Sequence, residues 1–179
     1  MERIKKEHRK KILDVINPET HEISWNEEGV PYKFKEKKKI KSGKTSRAKG
    51  ARFELRVRHD LEEKGRTVDK WSNNVDLEEG KLIIAKRKYN PFSKVMTIGT
   101  GFPDFVTFSY VHDGFYSVIG VEVKVNGTLS KEEKEKCLWY IKNKIFSDIW
   151  IAKEKRNGRK IEVEYVNFRE KYMKETNKT

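Results

Sequence analysis

Alternating apolar and polar positions predict two neighbouring strands in the middle of the chain. Residues 105–108 are β-branched or aromatic, and residues 116–125 are rich in valine and isoleucine. Between them, Asp113 and Gly114 make the dipeptide that is typical of a tight hairpin turn. On the second strand, the period of two puts three valines on one face and Glu122 and Lys124 on the other.

A helical period predicts a first convincing helix over residues 48–64, with Gly65 placed to end it. The apolar residues that form its buried stripe are Phe53, Val57 and Leu61. Glu54 falls at the edge of this stripe. It is therefore expected either to face the sheet or to form a surface pair with Arg58 one turn later.

A second helix is predicted to begin after Ser130, which forms a capping box with Glu133. The residues of its inner stripe are Leu138, Ile141 and Ile145. Cys137 lies beside this stripe and is expected to be a small core residue rather than a reactive thiol. As the single cysteine of the chain, it excludes an internal disulfide and a cysteine zinc cluster.

The other segments complete an α/β pattern. Further strands are predicted at residues 66–71, 82–85, 148–152 and 161–168, and a polar turn at residues 72–74. Nearer the start are a short helix over residues 2–16 and a small hairpin of residues 22–25 with 31–35. The expected organisation is a basic N-terminal extension (1–49), an α/β domain (50–168) and a polar tail (169–179).

The chain is strongly basic. Its 41 lysines and arginines exceed its 28 acidic residues, so the net charge is +13 and the pI is near 9.6. Abundant Glu and Lys without any Gln also fits a thermophile surface, but such a surface would not leave so large an excess of one sign. The charge therefore indicates a polyanionic partner, and we expect nucleic acid.

Basic residues cluster in the extension and in one loop. Residues 1–49 contain 15 basic and 8 acidic residues, which is +7 of the total charge. The residues expected to contact phosphates are Lys44, Arg47, Lys49, Arg52, Lys86, Arg87 and Lys88. The alternatives are a disordered solubilising extension and a loop that is only anchored by its neighbouring aromatic rings.

Nothing in the sequence predicts a segment that inserts into a membrane. No apolar run approaches membrane-spanning length, and the first residues lack the apolar core of a signal peptide. The single cysteine fits a reducing interior. We therefore expect a soluble, cytoplasmic protein.

Two carboxylates and an ammonium group are predicted to meet at one end of the two central strands. Asp104 opens the first strand and Glu122 lies on the second, so both can reach the sheet edge with Lys124 beside them. Paired carboxylates suit a hard divalent cation such as magnesium, and the lysine can hold a nucleophilic water or stabilise developing charge. This set predicts a metal-dependent phosphodiesterase.

The Pro-Asp pair at residues 103–104, followed by Glu-Val-Lys at 122–124, resembles the PD-(D/E)XK signature of the restriction-endonuclease-like nucleases. Residues 127–134, at the start of the second helix, are similar to that segment of the VRR-NUC and archaeal Holliday-junction-resolvase branches. Those nucleases often have a glutamine where Glu133 stands. The resemblance covers roughly residues 48–152.

The resemblance implies a restriction-endonuclease-like core, with elements in the order αβββαβ and a mixed central sheet flanked by helices. It implies a magnesium-dependent DNA endonuclease, with manganese as a substitute, that acts as a homodimer on branched or junction DNA in repair or recombination. The implied catalytic residues are Asp104, Glu122, Lys124 and Glu54, and the implied metal ligands are Asp104, Glu122, Glu54 and the backbone oxygen of Val123. The alternative is a non-catalytic nucleic-acid-binding module on the same fold, which does not need the intact trio.

Overall fold

The computed structural model describes residues 17–29, 31–85, 88–90, 95–97 and 101–173. In these residues the strands are β1 (His21–Trp25), β2 (Pro31–Glu36), β3 (Thr67–Lys70), β4 (Asn73–Asp76), β5 (Lys81–Ile84), β6 (Lys88–Asn90), β7 (Val95–Thr97), β8 (Phe105–His112), β9 (Phe115–Val123), β10 (Asp148–Asn157) and β11 (Lys160–Asn167). The helices are α1 (Lys37–Glu63), α2 (Lys131–Lys142) and α3 (Phe168–Tyr172). Two compact units divide the chain, residues 1–51 and residues 52–179, and α1 runs through the boundary.

In the first unit, β1 and β2 pair as an antiparallel hairpin, which confirms that prediction. The start of the long helix differs from the prediction, because α1 begins at Lys37 rather than at residue 48. Its first turns are rich in lysine, which has a good helix propensity, but they carry no apolar stripe. A helix without such a stripe gives no periodic signal in the sequence.

The second unit is built on a mixed sheet of five strands in the order β11-β10-β9-β8-β3. The strand β8 pairs antiparallel with both β3 and β9, whereas β10 lies parallel to β9 and antiparallel to β11. A parallel neighbour requires a crossover connection, and α2 supplies it between β9 and β10. The chain is thus a mixed α/β protein, as the sequence predicted.

The predicted central hairpin is confirmed. Phe105 of β8 lies opposite Val121 of β9, and the turn between the strands has positive φ at Asp113 (47°) and Gly114 (80°). Positive φ at both central positions is the geometry that an Asp-Gly pair favours, since it matches the twist of the flanking strands. The pairing register therefore brings the start of β8 beside the end of β9.

The sheet is covered on both faces. On one face, the buried stripe of α1 packs with sheet residues that include Phe105 and Val121, and the stripe is Phe53, Val57 and Leu61, as predicted. On the other face, α2 packs with Phe146, Ile149 and Ile151. Burial on both faces explains why β9 and β10 carry apolar residues at successive positions.

The inner face of α2 differs from its predicted stripe. The buried residues are Cys137, Tyr140 and Ile141, and the helix ends at Lys142, before Ile145. Burial raises the pKa of the Cys137 thiol, which keeps it protonated, and the prediction of a core cysteine is confirmed. Because Tyr140 is polar at its tip, counting only aliphatic residues left it out of the stripe.

One further prediction was wrong. Residues 72–74 are not a free turn, because Asn73 and Asn74 belong to β4 and pair with β5, where backbone hydrogen bonds outweigh the low β propensity of asparagine. The start of the tail forms α3, which Asn167 caps and which buries Phe168. The strands predicted at residues 82–85, 148–152 and 161–168 are present as β5, β10 and β11.

Some predictions fall on residues outside the described ranges. These are the helix over residues 2–16 and the loop residues Lys86 and Arg87; Lys88 lies in β6, which pairs with β7. Within the described ranges, no helix is both long enough and apolar enough to span a membrane.

Arg66, which directly precedes β3, bridges β8 and β9 through its guanidinium group. It donates to the Thr107 hydroxyl (3.0 Å), the Ser109 hydroxyl (3.0 Å) and the Ser117 carbonyl (3.2 Å). We expect Arg66→Ala to lower the free energy of unfolding by about 2–3 kcal/mol, because the fully buried Thr107 hydroxyl loses its charged partner. Urea denaturation measures the change. Lys81→Ala removes an ion pair whose side chains are 61% and 63% exposed and is the control, and an equal loss in both variants would contradict the bridging role.

Candidate active site

Asp104 and Glu122 lie at the same end of the central hairpin, where β8 begins and β9 ends. The Asp104 backbone N–H donates to Glu122 Oε2 at 3.2 Å. In return, the Val123 backbone N–H donates to Asp104 Oδ2 at 2.9 Å. These reciprocal hydrogen bonds hold both carboxylates against the backbone of the neighbouring strand.

Lys124 follows directly after β9, and its ammonium group lies between two carboxylates. Its Nζ is 2.9 Å from Glu122 Oε1 and 2.6 Å from Glu133 Oε1. The backbone is held as well, since the Lys124 N–H donates to the Ala152 carbonyl of β10 at 2.9 Å. Gly127 then closes a turn back onto the Lys124 carbonyl at 2.8 Å. The structure thus brings Asp104, Glu122 and Lys124 together, with Glu133 added from α2.

Burial dominates the electrostatics of the two central carboxylates. Glu122 is only 4% exposed, and burial together with the nearby charge of Asp104 raises its pKa to about 8. The pKa of Asp104 is also raised, by burial and by the charge of Glu54, although the hydrogen bond from Val123 opposes this change. The pair therefore holds a proton at neutral pH unless a cation offsets its charge.

Lys124 and Glu133 differ from the two central carboxylates, because their pKa shifts favour the charged form of each group. Burial alone would lower the pKa of Lys124, but its hydrogen bond to Glu133 and the charge of Glu122 raise it above its usual value. Burial would likewise raise the pKa of Glu133, but hydrogen bonds from Lys124 and Ser130 lower it. The site therefore combines a charged ammonium group with two carboxyl groups that can take up a proton.

Glu54 approaches the cluster from α1. Its Oε2 lies 3.5 Å from the Lys70 ammonium group of β3, and its charge is near enough to raise the pKa of Asp104. The alternative surface pair with Arg58 is not formed, because Arg58 bonds Glu62 at 2.9 Å instead. Glu54 therefore faces the sheet edge where Asp104 lies.

The cluster offers oxygen ligands to a cation. Among the described residues, no three His, Cys, Asp or Glu side chains are grouped closely enough to form a ready metal centre. Asp104 and Glu122 nevertheless fit a hard divalent cation, since burial raises the pKa of both carboxylates and a bound cation would offset their charge. Val123 contacts Asp104 through its N–H, and the role of its carbonyl as a ligand stays a prediction.

Tyr140 supports the segment that precedes Asp104, and sequence reasoning missed it. Its hydroxyl donates to the Phe102 carbonyl at 2.6 Å and accepts from Trp71 Nε1 at 3.1 Å. On the same segment, Pro103 packs against Gly120, where a Cβ would come within 2.9 Å of the proline ring. The helical spacing of Tyr140 from Cys137 was the available signal.

We expect Tyr140→Phe to lower the free energy of unfolding by about 1–3 kcal/mol, because the Phe102 carbonyl and the Trp71 N–H lose their shared partner inside the core. Urea denaturation measures this effect. Tyr110→Phe, on an exposed ring, is the control, and equal stability of both variants would contradict the supporting role.

Four of the predicted phosphate-binding residues lie on α1. Lys44 and Arg47 are exposed on the part of α1 in the first unit, Lys49 is half-buried there, and Arg52 is exposed at the start of the second unit. Their contacts with phosphates stay a prediction.

No protein-family model matches the chain, and no curated protein or solved structure matches it either. The resemblance to the restriction-endonuclease-like nucleases thus depends on the short motifs at residues 103–104, 122–124 and 127–134. In the structure, the motifs at residues 103–104 and 122–124 contact each other through two hydrogen bonds, each from a backbone N–H of one motif to a carboxylate of the other.

Proposed function

We propose that the chain is a magnesium-dependent endonuclease that hydrolyses phosphodiester bonds in DNA. The observation that carries this proposal is the joint placement of Asp104, Glu122 and Lys124 at one end of β8 and β9. A purely structural ion pair needs neither a second buried carboxylate nor a raised pKa. Both features are typical of sites that hold a cation or a reacting group.

The order of elements supports a restriction-endonuclease-like core. In sequence, α1, β3, β8, β9, α2 and β10 give a helix, three antiparallel strands, a helix and a strand that is parallel to the third. This is the αβββαβ order that the resemblance implies. The strands β4 to β7 then form an insertion between the first and second core strands, before the Pro-Asp motif.

Each residue has a separate task in this proposal. Asp104 and Glu122 hold the magnesium ion, and Glu54 supports it from α1. When bound, the ion offsets the charge of the phosphodiester and acidifies water. Lys124 remains charged beside Glu122, so its ammonium group can approach a phosphoryl oxygen and stabilise the charge that develops there.

The substrate class within this proposal comes from charge and from the resemblance. The excess of basic residues favours a polyanion, and the resolvase branch suggests branched DNA cut by a homodimer. The residues proposed to bind the phosphate backbone are Lys44, Arg47, Lys49, Arg52, Lys86, Arg87 and Lys88. Such contacts make binding strongly dependent on salt.

A cleavage panel tests the proposal. The substrates are labelled four-way junction, flap, duplex, single-stranded DNA and RNA, each with magnesium or manganese. The test variants are Asp104→Asn and Lys124→Ala. Their matched controls are Asp113→Asn and Lys131→Ala, whose side chains are 90% and 93% exposed.

The parent and both controls should cut at least one DNA member, while both test variants bind it without cutting. A preferred substrate in the panel would also identify the structure that is recognised. If all proteins bind nucleic acid equally and none cuts with either metal, the enzyme proposal fails. The non-catalytic binding module would then account for the basic charge.

A further inference from the structure

The two carboxylate oxygens of Glu133 have different partners. Oε2 accepts the backbone N–H of Ser130 at 2.7 Å, which is one half of the capping box at the start of α2. Oε1 is directed away from the cap and lies 2.6 Å from the Lys124 ammonium group. A residue that served only as a cap would need no contact with β9 or with the residue that follows it.

We propose that Glu133 is a positioning residue that holds the ammonium group of Lys124 in the cluster formed with Asp104 and Glu122. This role rests on the proposed nuclease function, because its purpose is to place a group that acts on the phosphodiester. It also assigns a task to the carboxylate that stands where the similar nucleases often have glutamine.

The reason for such a residue is the length of the lysine side chain. A free lysine samples many rotamers, and fixing it in one place costs side-chain entropy. Bonds to Glu122 and Glu133 fix Nζ from two sides, and the bond to Glu133 is the shorter one. The carboxylate of Glu133 also carries a full negative charge, so it attracts the ammonium group more strongly than a neutral amide oxygen would.

The anchor for this contact is rigid. Glu133 is held by the cap of α2, and α2 packs on the sheet through its buried inner face. A cation between Asp104 and Glu122 would repel the ammonium group and compete with it for Glu122. Glu133 then keeps one partner for Lys124, so the lysine stays at the site rather than turning into solvent.

Two substitutions separate positioning from capping. Glu133→Ala removes both the cap and the ammonium contact, whereas Glu133→Gln keeps one neutral acceptor oxygen in place of two. Ser130→Ala removes the serine half of the cap and leaves Glu133 in place. Glu132→Gln removes a charge from the same turn of α2, where Glu132 pairs with Lys136 and not with Lys124.

Single-turnover cleavage of the best panel substrate is measured at saturating enzyme, beside the dissociation constant for DNA. We expect Glu133→Ala to cut about 10–100-fold more slowly with unchanged DNA affinity, as for other residues that orient a catalytic group. Glu133→Gln should be intermediate, and Ser130→Ala and Glu132→Gln should stay close to the parent. Equal rate losses in Ser130→Ala and Glu133→Ala would overturn the proposal, because they would make Glu133 a cap only.

A second measurement does not depend on cleavage. The ammonium signal of Lys124 in ¹⁵N NMR, assigned by its loss in Lys124→Ala, should be protected from water exchange in the parent and in Glu132→Gln. It should lose this protection in Glu133→Ala, and unchanged protection there would also overturn the proposal. If the parent cuts nothing, the proposed function fails, and the positioning role is decided by this signal alone.

Discussion

Asp104→Asn is expected to slow DNA cleavage by about 10³-fold, which corresponds to about 4 kcal/mol of lost transition-state stabilisation. The same substitution should raise the free energy of unfolding at neutral pH by about 1 kcal/mol. The two effects have one cause. Burial and the charge of Glu54 raise the pKa of Asp104, so the folded protein holds this carboxylate at a cost.

Asparagine removes that cost without removing the structural contact. Its side-chain oxygen can still accept the Val123 N–H that now bonds Asp104 Oδ2. The amide is neutral, however, and is a much poorer ligand for a hard cation. Cleavage therefore falls while the hairpin keeps its geometry.

Two measurements check this result, namely urea denaturation at pH 7 and single-turnover cleavage with magnesium. Asp113→Asn at the exposed hairpin turn is the control and should change neither value appreciably. The opposite signs for stability and activity are what distinguish a catalytic carboxylate from a structural one. If Asp104→Asn destabilises the protein, Asp104 serves the fold and the metal-ligand role is wrong.

The parts of this site that the sequence predicted depend on short-range signals. The Asp-Gly turn and the period of two set the hairpin register, and that register alone brings Asp104 to Glu122. Lys124 follows from Glu122 by its spacing on the same strand face. Each inference needed only residues that are close in sequence or the single hairpin turn.

The parts that were missed depend on contacts between distant segments. Tyr140 reaches the Phe102 carbonyl across 38 residues of sequence, and no local pattern shows which carbonyl a helix residue will bond. Glu133 was identified as a cap from its spacing to Ser130. Its other hydrogen bond, which it accepts from Lys124, depends on where the start of α2 lies relative to the end of β9. The asparagines of β4 show the same limit, because pairing with β5 decided their conformation.

Stability of the folded protein is expected to fall as pH rises from about 5 to 8, by about 3–5 kcal/mol in total. The cause is Glu122, whose pKa rises from an ordinary 4.5 to about 8 on folding. Below pH 4.5 the carboxyl group is protonated in both states and contributes nothing. Between pH 4.5 and about 8, Glu122 is ionised in the unfolded chain but protonated in the folded protein, so a rise in pH favours unfolding.

The neighbouring charges do not reverse this direction. Asp104 has a raised pKa and adds to the loss. Lys124 has a raised pKa, so its stabilising contribution is lost only in strongly alkaline solution, and Glu133 has a lowered pKa, so its contribution is lost only in acid. Urea denaturation of the parent at several pH values between 5 and 8.5 measures the slope.

Glu122→Gln should remove most of this slope, whereas Glu162→Gln, on an exposed position of β11, should keep it. Magnesium should stabilise the folded protein, whereas a rise in pH destabilises it, because a bound cation favours the ionised carboxylates. At 100 times its dissociation constant a ligand adds about 2.7 kcal/mol, so we expect a larger rise in Tm with magnesium at pH 8 than at pH 5. Equal slopes in the parent and in Glu122→Gln would mean that Glu122 is ionised beside Lys124 throughout, as in an ordinary salt bridge. A magnesium effect that is independent of pH would separate the cation from this pair of carboxylates.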